Sequence, residues 1–275
     1  MRALIDPEVS VKNYARIGWL KVVEYSEPLL NAAKVMVENK IRHVPIVSNK
    51  KLIGMLSVKD VIDKLNALNM PDLLKSEVGK LGSGKVIASK PDEPLWLALK
   101  VMKEADVGAL PIVNEEGEVI GIFTERDVVT QIAPEIEWDK SVKEVGLENP
   151  KTVELGTPIL DVISLMNEMK IRHVPVVDSS GAVKGMVTAL DVIGYALEND
   201  RYKKGIRIFE DAVDTIMKQP VFVREDATLN EALNVLANSN YDYVLIVGED
   251  LKLKEILTDR DVLRITADLM EKLHG

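Results

Sequence analysis

Short runs of apolar, largely β-branched residues alternate along the chain with longer stretches in which apolar positions recur every three or four residues. These are the spacings that mark strands and helices. The strand-like runs come in pairs. The first member of each pair reads IRHVPIV (41 to 47), VGALPIV (107 to 113), IRHVPVV (171 to 177) or YDYVLIV (241 to 247). The second opens the stretches KKLIGMLSVKDVI (50 to 62), GEVIGIFTERDVV (117 to 129), GAVKGMVTALDVI (181 to 193) and LKLKEILTDRDVL (251 to 263). Turn-forming residues separate the members of the first three pairs: SNKK (48 to 51), NEEGE (114 to 118) and DSSG (178 to 181). Each pair therefore predicts a hairpin.

Ahead of each hairpin lies a helix pattern: PLLNAAKVMVEN (28 to 39), PLWLALKVMKEA (94 to 105), PILDVISLMNEM (158 to 169) and TLNEALNVLANS (228 to 239). In the first, Leu29, Ala32, Ala33, Met36 and Val37 make one apolar stripe. Proline is expected in the first turn, where its missing N–H has no partner to lose; the fourth copy offers a capping box, Thr228 with Glu231. A short extended piece precedes each helix: WLKVVEY, KVIASKP, KTVELGT and VFVREDA. The helix after the first hairpin carries Val58, Val61, Ile62, Leu65 and Leu68 on one face.

The repeating unit is thus strand, helix, strand, strand, helix, an α/β pattern of period about 65 residues. The repeats are expected at about 10–69, 76–133, 141–198 and 211–270. One such unit cannot cover both faces of its sheet, so the units are expected to pair. The stretch QIAPEIEWDKSVKEVGLENP (131 to 150) has two prolines, a charge run and no periodicity. It reads as a linker between two halves, 1–133 and 134–275, with 70–84 and 199–219 as connectors inside them; the second connector has room for an extra helical turn.

Composition narrows the chemistry. The chain has 275 residues, of which 47% are apolar and 29% charged, enough for buried cores and too ordered a composition for disorder. No cysteine is present, which removes disulfides, thiolate metal sites and cysteine nucleophiles. The three histidines, His43, His173 and His274, lack ligand spacing, so no metal site is expected. A net charge of −9 argues against broad nucleic-acid or anionic-membrane binding. No apolar run is long enough for a membrane span and the N-terminus lacks a signal-peptide pattern, so a cytoplasmic protein is expected. Many Glu and Lys with no Cys lean toward a thermophilic source.

Each hairpin runs into a hydroxyl residue and, three positions on, an aspartate: Ser57 and Asp60, Thr124 and Asp127, Thr188 and Asp191, Thr258 and Asp261. The pair sits at a helix start, where unpaired N–H groups and the dipole favour an anion. The carboxylate suits a vicinal diol, the hydroxyl a phosphate or ribose oxygen. The same pair is also a capping box needing no ligand.

The run apolar-Arg-His-apolar-Pro-apolar-apolar, a hairpin, a glycine-containing strand and [ST]-x-x-D on a helix resembles the CBS domain, named after cystathionine beta-synthase. Four copies in phase, over nearly the whole chain, resemble two tandem Bateman modules, as in stand-alone archaeal CBS proteins and the gamma subunit of the AMP-activated protein kinase; four units in one chain could close a disk-like arrangement.

The resemblance implies clefts between paired sheets that bind adenosine-containing ligands (AMP, ADP, ATP or S-adenosylmethionine) and a regulatory role passed to a protein partner. It assigns ribose contact to Asp60, Asp127, Asp191 and Asp261, with Ser57, Thr124, Thr188 and Thr258 as neighbouring polar contacts. Gly54, Gly121 and Gly185 share one strand position; either an adenine ring or the partner sheet comes close there. Arg42 with His43 and Arg172 with His173 occur only in the odd copies and are phosphate candidates, or else members of salt bridges. Arg126 and Arg260 are further phosphate candidates, with helix-face ion pairing as the alternative.

The fourth copy departs most, with Leu245 for proline, Glu255 for glycine and Asp242 for arginine; the second has Gly108 and Ala109 in place of the basic pair. The first and third copies are thus the best candidate sites. A non-catalytic adenine-nucleotide sensor is the leading expectation, with a structural scaffold whose clefts are empty, or S-adenosylmethionine binding, as alternatives. An enzyme fits worst, since no triad, Walker loop or metal cluster is present. A homodimer is left open.

Overall fold

The computed structural model describes residues 2–3, 5–18, 20–81, 86–145 and 150–275. Ahead of the first repeat lie two short strands, β1 (Arg2–Ala3) and β2 (Arg16–Ile17). Repeat 1 comprises β3 (Val23–Glu24), α1 (Leu29–Asn39), β4 (His43–Ser48), β5 (Lys51–Ser57) and α2 (Val58–Leu65), followed by the short α3 (Met70–Leu73). Repeat 2 has α4 (Leu95–Glu104), β6 (Ala109–Val113), β7 (Val119–Thr124) and α5 (Glu125–Asp127), which continues as a π-helical turn over Val128–Ile132 before β8 (Ile136–Glu137). Repeat 3 comprises β9 (Val153–Glu154), α6 (Ile159–Met169), β10 (His173–Val177), β11 (Val183–Thr188) and α7 (Ala189–Leu197). Repeat 4 comprises β12 (Phe222–Arg224), α8 (Leu229–Asn238), β13 (Tyr243–Val247), β14 (Leu253–Thr258) and α9 (Asp259–His274).

The expected strand, helix, hairpin, helix order holds in full in repeats 1, 3 and 4. In repeats 1, 3 and 4 the first strand joins the hairpin in parallel, giving the three-stranded orders β3-β4-β5, β9-β10-β11 and β12-β13-β14. In repeat 2 it is reduced to one parallel bridge between Ser89 and Ile112, and the start of KVIASKP falls outside the described residues. Each hairpin shifts register at the same place, after Ile46, Ile112, Val176 and Ile246. A bulge there strengthens the local twist. Asn49 and Lys50, with φ of 50° and 67°, close the first hairpin as a two-residue turn between the paired Ser48 and Lys51.

Leu29, Ala32, Ala33 and Met36 of the α1 stripe are fully buried. The prolines stand one place earlier than expected. Pro28, Pro94 and Pro158 are the N-caps, with extended backbone, and the carbonyl of Pro28 accepts from Asn31 N–H at 2.9 Å. The reason for proline survives the shift, because no helical bond needs its N–H. Thr228 and Glu231 form the expected capping box, with the Thr228 N–H and hydroxyl donating to Glu231 at 2.8 and 2.9 Å.

Two compact units emerge, and they interleave along the chain. One, here the odd unit, takes 21–86 and 151–220, holding repeats 1 and 3; the even unit takes 1–20, 87–150 and 221–275, holding repeats 2 and 4. This grouping differs from the sequence halves 1–133 and 134–275 because the apolar helix stripes find their cover two repeats along. In the odd unit α2 packs on α6 and α7, and α1 on α7. In the even unit α4 packs on α9, and α8 on the π-helical turn. Each unit closes around one continuous apolar core.

The stretch 131–150, expected as a linker, contributes to the core through part of its described residues. Ile132, Ala133, Ile136, Trp138 and Val142 are buried in the even unit, and the Trp138 indole N–H donates to the Ala133 carbonyl at 3.1 Å. Its lack of periodicity comes from its make-up: a π turn, the 3-10 turn Ala133–Glu135, the two-residue β8 paired with β1, and the 3-10 turn Val142–Val145. The 199–219 connector forms 3-10 turns, including Ile206–Glu210 and Val213–Thr215. Among the described residues no helix is long and apolar enough to cross a membrane.

Candidate functional site

All four hydroxyl–carboxylate pairs sit where the sequence places them, at the junction between hairpin and helix. The backbone N–H and hydroxyl of the hydroxyl residue both donate to Oδ2 of the aspartate. The distances are 2.7 and 2.7 Å for Ser57 to Asp60, 2.8 and 2.6 Å for Thr124 to Asp127, 2.9 and 2.6 Å for Thr188 to Asp191, and 2.8 and 2.6 Å for Thr258 to Asp261. In the three threonine copies the hydroxyl also accepts from the aspartate N–H, at 3.3 to 3.4 Å. Capping is therefore realised in every copy, and it spends only one carboxylate oxygen.

The second oxygen distinguishes the repeats. Oδ1 of Asp127 accepts from Gln131 Nε2 at 3.2 Å, while Oδ1 of Asp191 is held by the Lys218 ammonium. For Asp60 and Asp261 no hydrogen bond to Oδ1 is seen among the described residues. Asp127 is also buried. Desolvation pushes its carboxyl pKa above the ordinary value, against the pull of the Thr124 donors, Arg16 and Gln131.

Hairpin register brings the two sequence landmarks of each repeat together. His43 lies directly opposite Ser57 and His173 opposite Thr188; Ala109 and Tyr243 take that place opposite Thr124 and Thr258. One residue earlier, the carbonyls of Arg42 and Arg172 accept the first helical N–H, from Val58 at 3.0 Å and Ala189 at 2.9 Å. The basic pairs of repeats 1 and 3 thus flank the helix starts. Arg172 and His173 are buried, Arg42 and His43 half-buried. In repeat 4 the matching Asp242 is buried as well. The Oε2 of Glu255 is buried with no hydrogen-bond partner among the described residues, and burial raises the Glu255 pKa.

Arg126 and Arg260 have a different place from the phosphate contact first expected. Each crosses to the other repeat of the even unit. Arg126 donates to the carbonyls of Leu236, Ala237, Ser239 and Tyr241 at 2.5 to 3.2 Å, which covers the end of α8, and to Asp259 at 3.4 Å. Arg260 pairs with Glu125 and Asp106, and donates to the Asp106 carbonyl at 2.9 Å. Glu125 and Asp259 are among the most buried polar residues. These guanidinium groups cap helix ends and neutralise buried carboxylates across the two repeats, a pairing less exposed than the helix-face one expected.

The glycines report a close approach that the sequence left open. In repeat 2, β2 runs antiparallel to β7, with Arg16 opposite Ile122 and Ile17 opposite Gly121. A Cβ on Gly121 would meet Ile17 Cδ1 at 2.5 Å and the Arg16 carbonyl at 3.0 Å. In repeat 3, Lys218 and Met186 exchange two backbone bonds of 2.9 Å, and a Cβ on Gly185 would meet Met217 Sδ at 2.7 Å. At Gly54 the nearest atoms belong to Ile46 of its own sheet, at 3.1 Å and beyond. A strap segment thus approaches the backbone in repeats 2 and 3. Sequence reasoning missed Arg16 and Lys218, since a two-residue strap has no period and its one hint is a cation beside an apolar residue just upstream of a first strand; it also missed Gln131, on the π-helical turn.

Comparison with known proteins agrees with this geometry. The CBS domain model matches residues 20–67, 78–134, 142–198 and 213–268. A 33.4 kDa protein of the ribosomal RNA operon of Thermofilum pendens is 29% identical over 274 residues, covering 93% of this chain and 90% of its own. Inosine-5'-monophosphate dehydrogenase from Aquifex aeolicus is 29% identical over 191 residues, 69% of this chain and 37% of that enzyme. The crystal structure of protein MJ1225 from Methanocaldococcus jannaschii, described as a candidate archaeal homolog of g-AMPK, superposes with a TM-score of 0.84 at 24% identity, covering 94% of this chain and 99% of its own. With its matches spanning most of the sequence and the hairpin-to-helix junction repeated in each, this chain belongs to the CBS domain family and carries four CBS domains.

Proposed function

We propose that the chain is a non-catalytic regulatory protein that binds adenosine-containing ligands at the helix starts of its CBS domains and signals their occupancy to a protein partner. One observation carries the reading. In repeats 1 and 3 a carboxylate fixed by a capping box stands at a helix N-terminus, with an Arg-His strand segment directly across the hairpin. A ribose diol needs acceptor oxygens, and a phosphate needs cations and helix N–H groups; this junction supplies both within one hairpin width. Repeats 1 and 3 are therefore the principal sites. The buried Asp242 and the substituted Glu255 make repeat 4 a poor anion site. Signalling requires the ligand to bind two states of the protein unequally.

The test is direct. Purified protein is heat-denatured and the supernatant read at 260 nm, and melts are repeated with AMP, ADP, ATP and S-adenosylmethionine. A ligand at 100 times its dissociation constant adds about 2.7 kcal/mol of stability. No absorber and no shift with any of the four would leave the scaffold alternative in its place.

A further inference from the structure

The strap cation of repeat 3 occupies the same carboxylate oxygen that a ribose diol needs. Lys218 is held on the edge of β11 by two backbone bonds to Met186, each 2.9 Å, and Met217 beside it fills the space over Gly185. From that position the ammonium pairs with Oδ1 of Asp191, while Oδ2 is spent on the capping box. Both oxygens of Asp191 are thus engaged, and its side chain is 6% exposed, against 56% for Lys218. The arrangement recurs. Arg16 stands opposite Ile122, the residue after Gly121, as Lys218 stands opposite Met186, the residue after Gly185. Arg16 exerts its charge on Asp127, and Lys218 pairs directly with Asp191. Two straps from unrelated stretches of sequence carry a cation in the same register.

Resting on the ligand class proposed above, we propose that Lys218 is a selectivity residue of repeat 3, a latch on Asp191 that an incoming diol must displace and that only a phosphate-bearing ligand can re-pair. The displaced ammonium is mobile and half in solvent, so it swings without unzipping the strap. An uncharged nucleoside gains the diol contact but leaves Lys218 without its anion, whereas a nucleotide offers that cation a new one. The latch therefore disfavours adenosine relative to AMP. Since the Lys218 end of the pair is more than half exposed, its effect is of the size of a favourable surface pair, about three- to fivefold in affinity.

The experiment compares adenosine and AMP by calorimetry on the full chain and on Lys218→Met and Lys218→Arg, each carrying Asp60→Ala, Asp127→Ala and Asp261→Ala so that repeat 3 is read alone. Lys218→Met should tighten adenosine by about three- to fivefold and lower the AMP-to-adenosine affinity ratio, and Lys218→Arg should resemble the parent. A second reading uses the unmodified protein: acetic anhydride labelling of Lys218, followed by mass spectrometry, should rise when adenosine is added. If adenosine binds but Lys218→Met leaves its affinity unchanged or weaker, or Lys218 labelling does not rise, the latch is wrong while the ligand class stands. If neither compound binds the full chain, the ligand class fails and the latch with it.

Discussion

Replacing Arg126 by alanine should be one of the most damaging single changes in the even unit, although it touches no proposed ligand. Its guanidinium serves four carbonyls at the end of α8 and the carboxylate of Asp259, which is fully buried. Removing one partner of a buried pair takes a compensating charge from the other, at about 3–5 kcal/mol when the pair is fully buried. The Arg126 side chain is 27% exposed, so water can partly take its place, and the expected loss lies at the low end, about 3 kcal/mol. Urea denaturation measures it as a lower midpoint with an unchanged slope. A double-mutant cycle with Asp259→Asn isolates the pair from the carbonyl contacts, and should return a coupling of about 1 kcal/mol or more. Arg260→Ala, whose partner Glu125 is equally buried, should behave alike. A loss for Arg126→Ala below about 1 kcal/mol, or a coupling near zero, would refute the view that these crossed pairs hold repeats 2 and 4 together.

Glu255→Gln should raise the melting temperature at neutral pH. Burial raises the folded-state pKa of Glu255, so its ionisation costs stability as pH climbs through that raised value, and costs nothing below the unfolded value of about 4.3. The gain should vanish near about pH 3.5, and a lower melting temperature at pH 7 would contradict the assignment. Gly185→Ala should cost about 1–3 kcal/mol, because the new methyl meets Met217 Sδ at 2.7 Å and its Cβ at 3.0 Å, whereas Gly54→Ala meets Ile46 Cδ1 at 3.1 Å and its Cβ at 3.3 Å and should cost less than about 1 kcal/mol. Equal losses in the two melts would remove the strap as the reason for glycine in repeat 3.

Local signals carried well from sequence to structure. Hairpins, helices and all five capping boxes lie where periodicity and hydroxyl–carboxylate spacing put them, because each is decided within about ten residues of chain. Long-range packing has no such local signal. Helix stripes state that cover is needed without naming the partner, so the grouping of repeats 1 with 3 and 2 with 4 had no local trace. Trp138 and Ile136 looked like linker because the turns that bury them are too short to have a period. The E-R-D and D-R-D triplets at 125–127 and 259–261 show the same limit: adjacent charges read as either ligand site or ion pair, and only the fold brings Arg126 to Asp259 and Arg260 to Glu125.

The central claim is that helix-start carboxylates in repeats 1 and 3 hold an adenosine ligand. Asp60→Asn with Asp191→Asn tests it most directly, because an amide keeps an acceptor for the capping N–H while losing the charge that a diol prefers. Calorimetric titration of AMP should show binding to the full chain, and a loss of about tenfold or more at the affected sites in the double variant, the scale of a charge-assisted hydrogen bond. AMP affinity and stoichiometry unchanged in that variant would contradict the account.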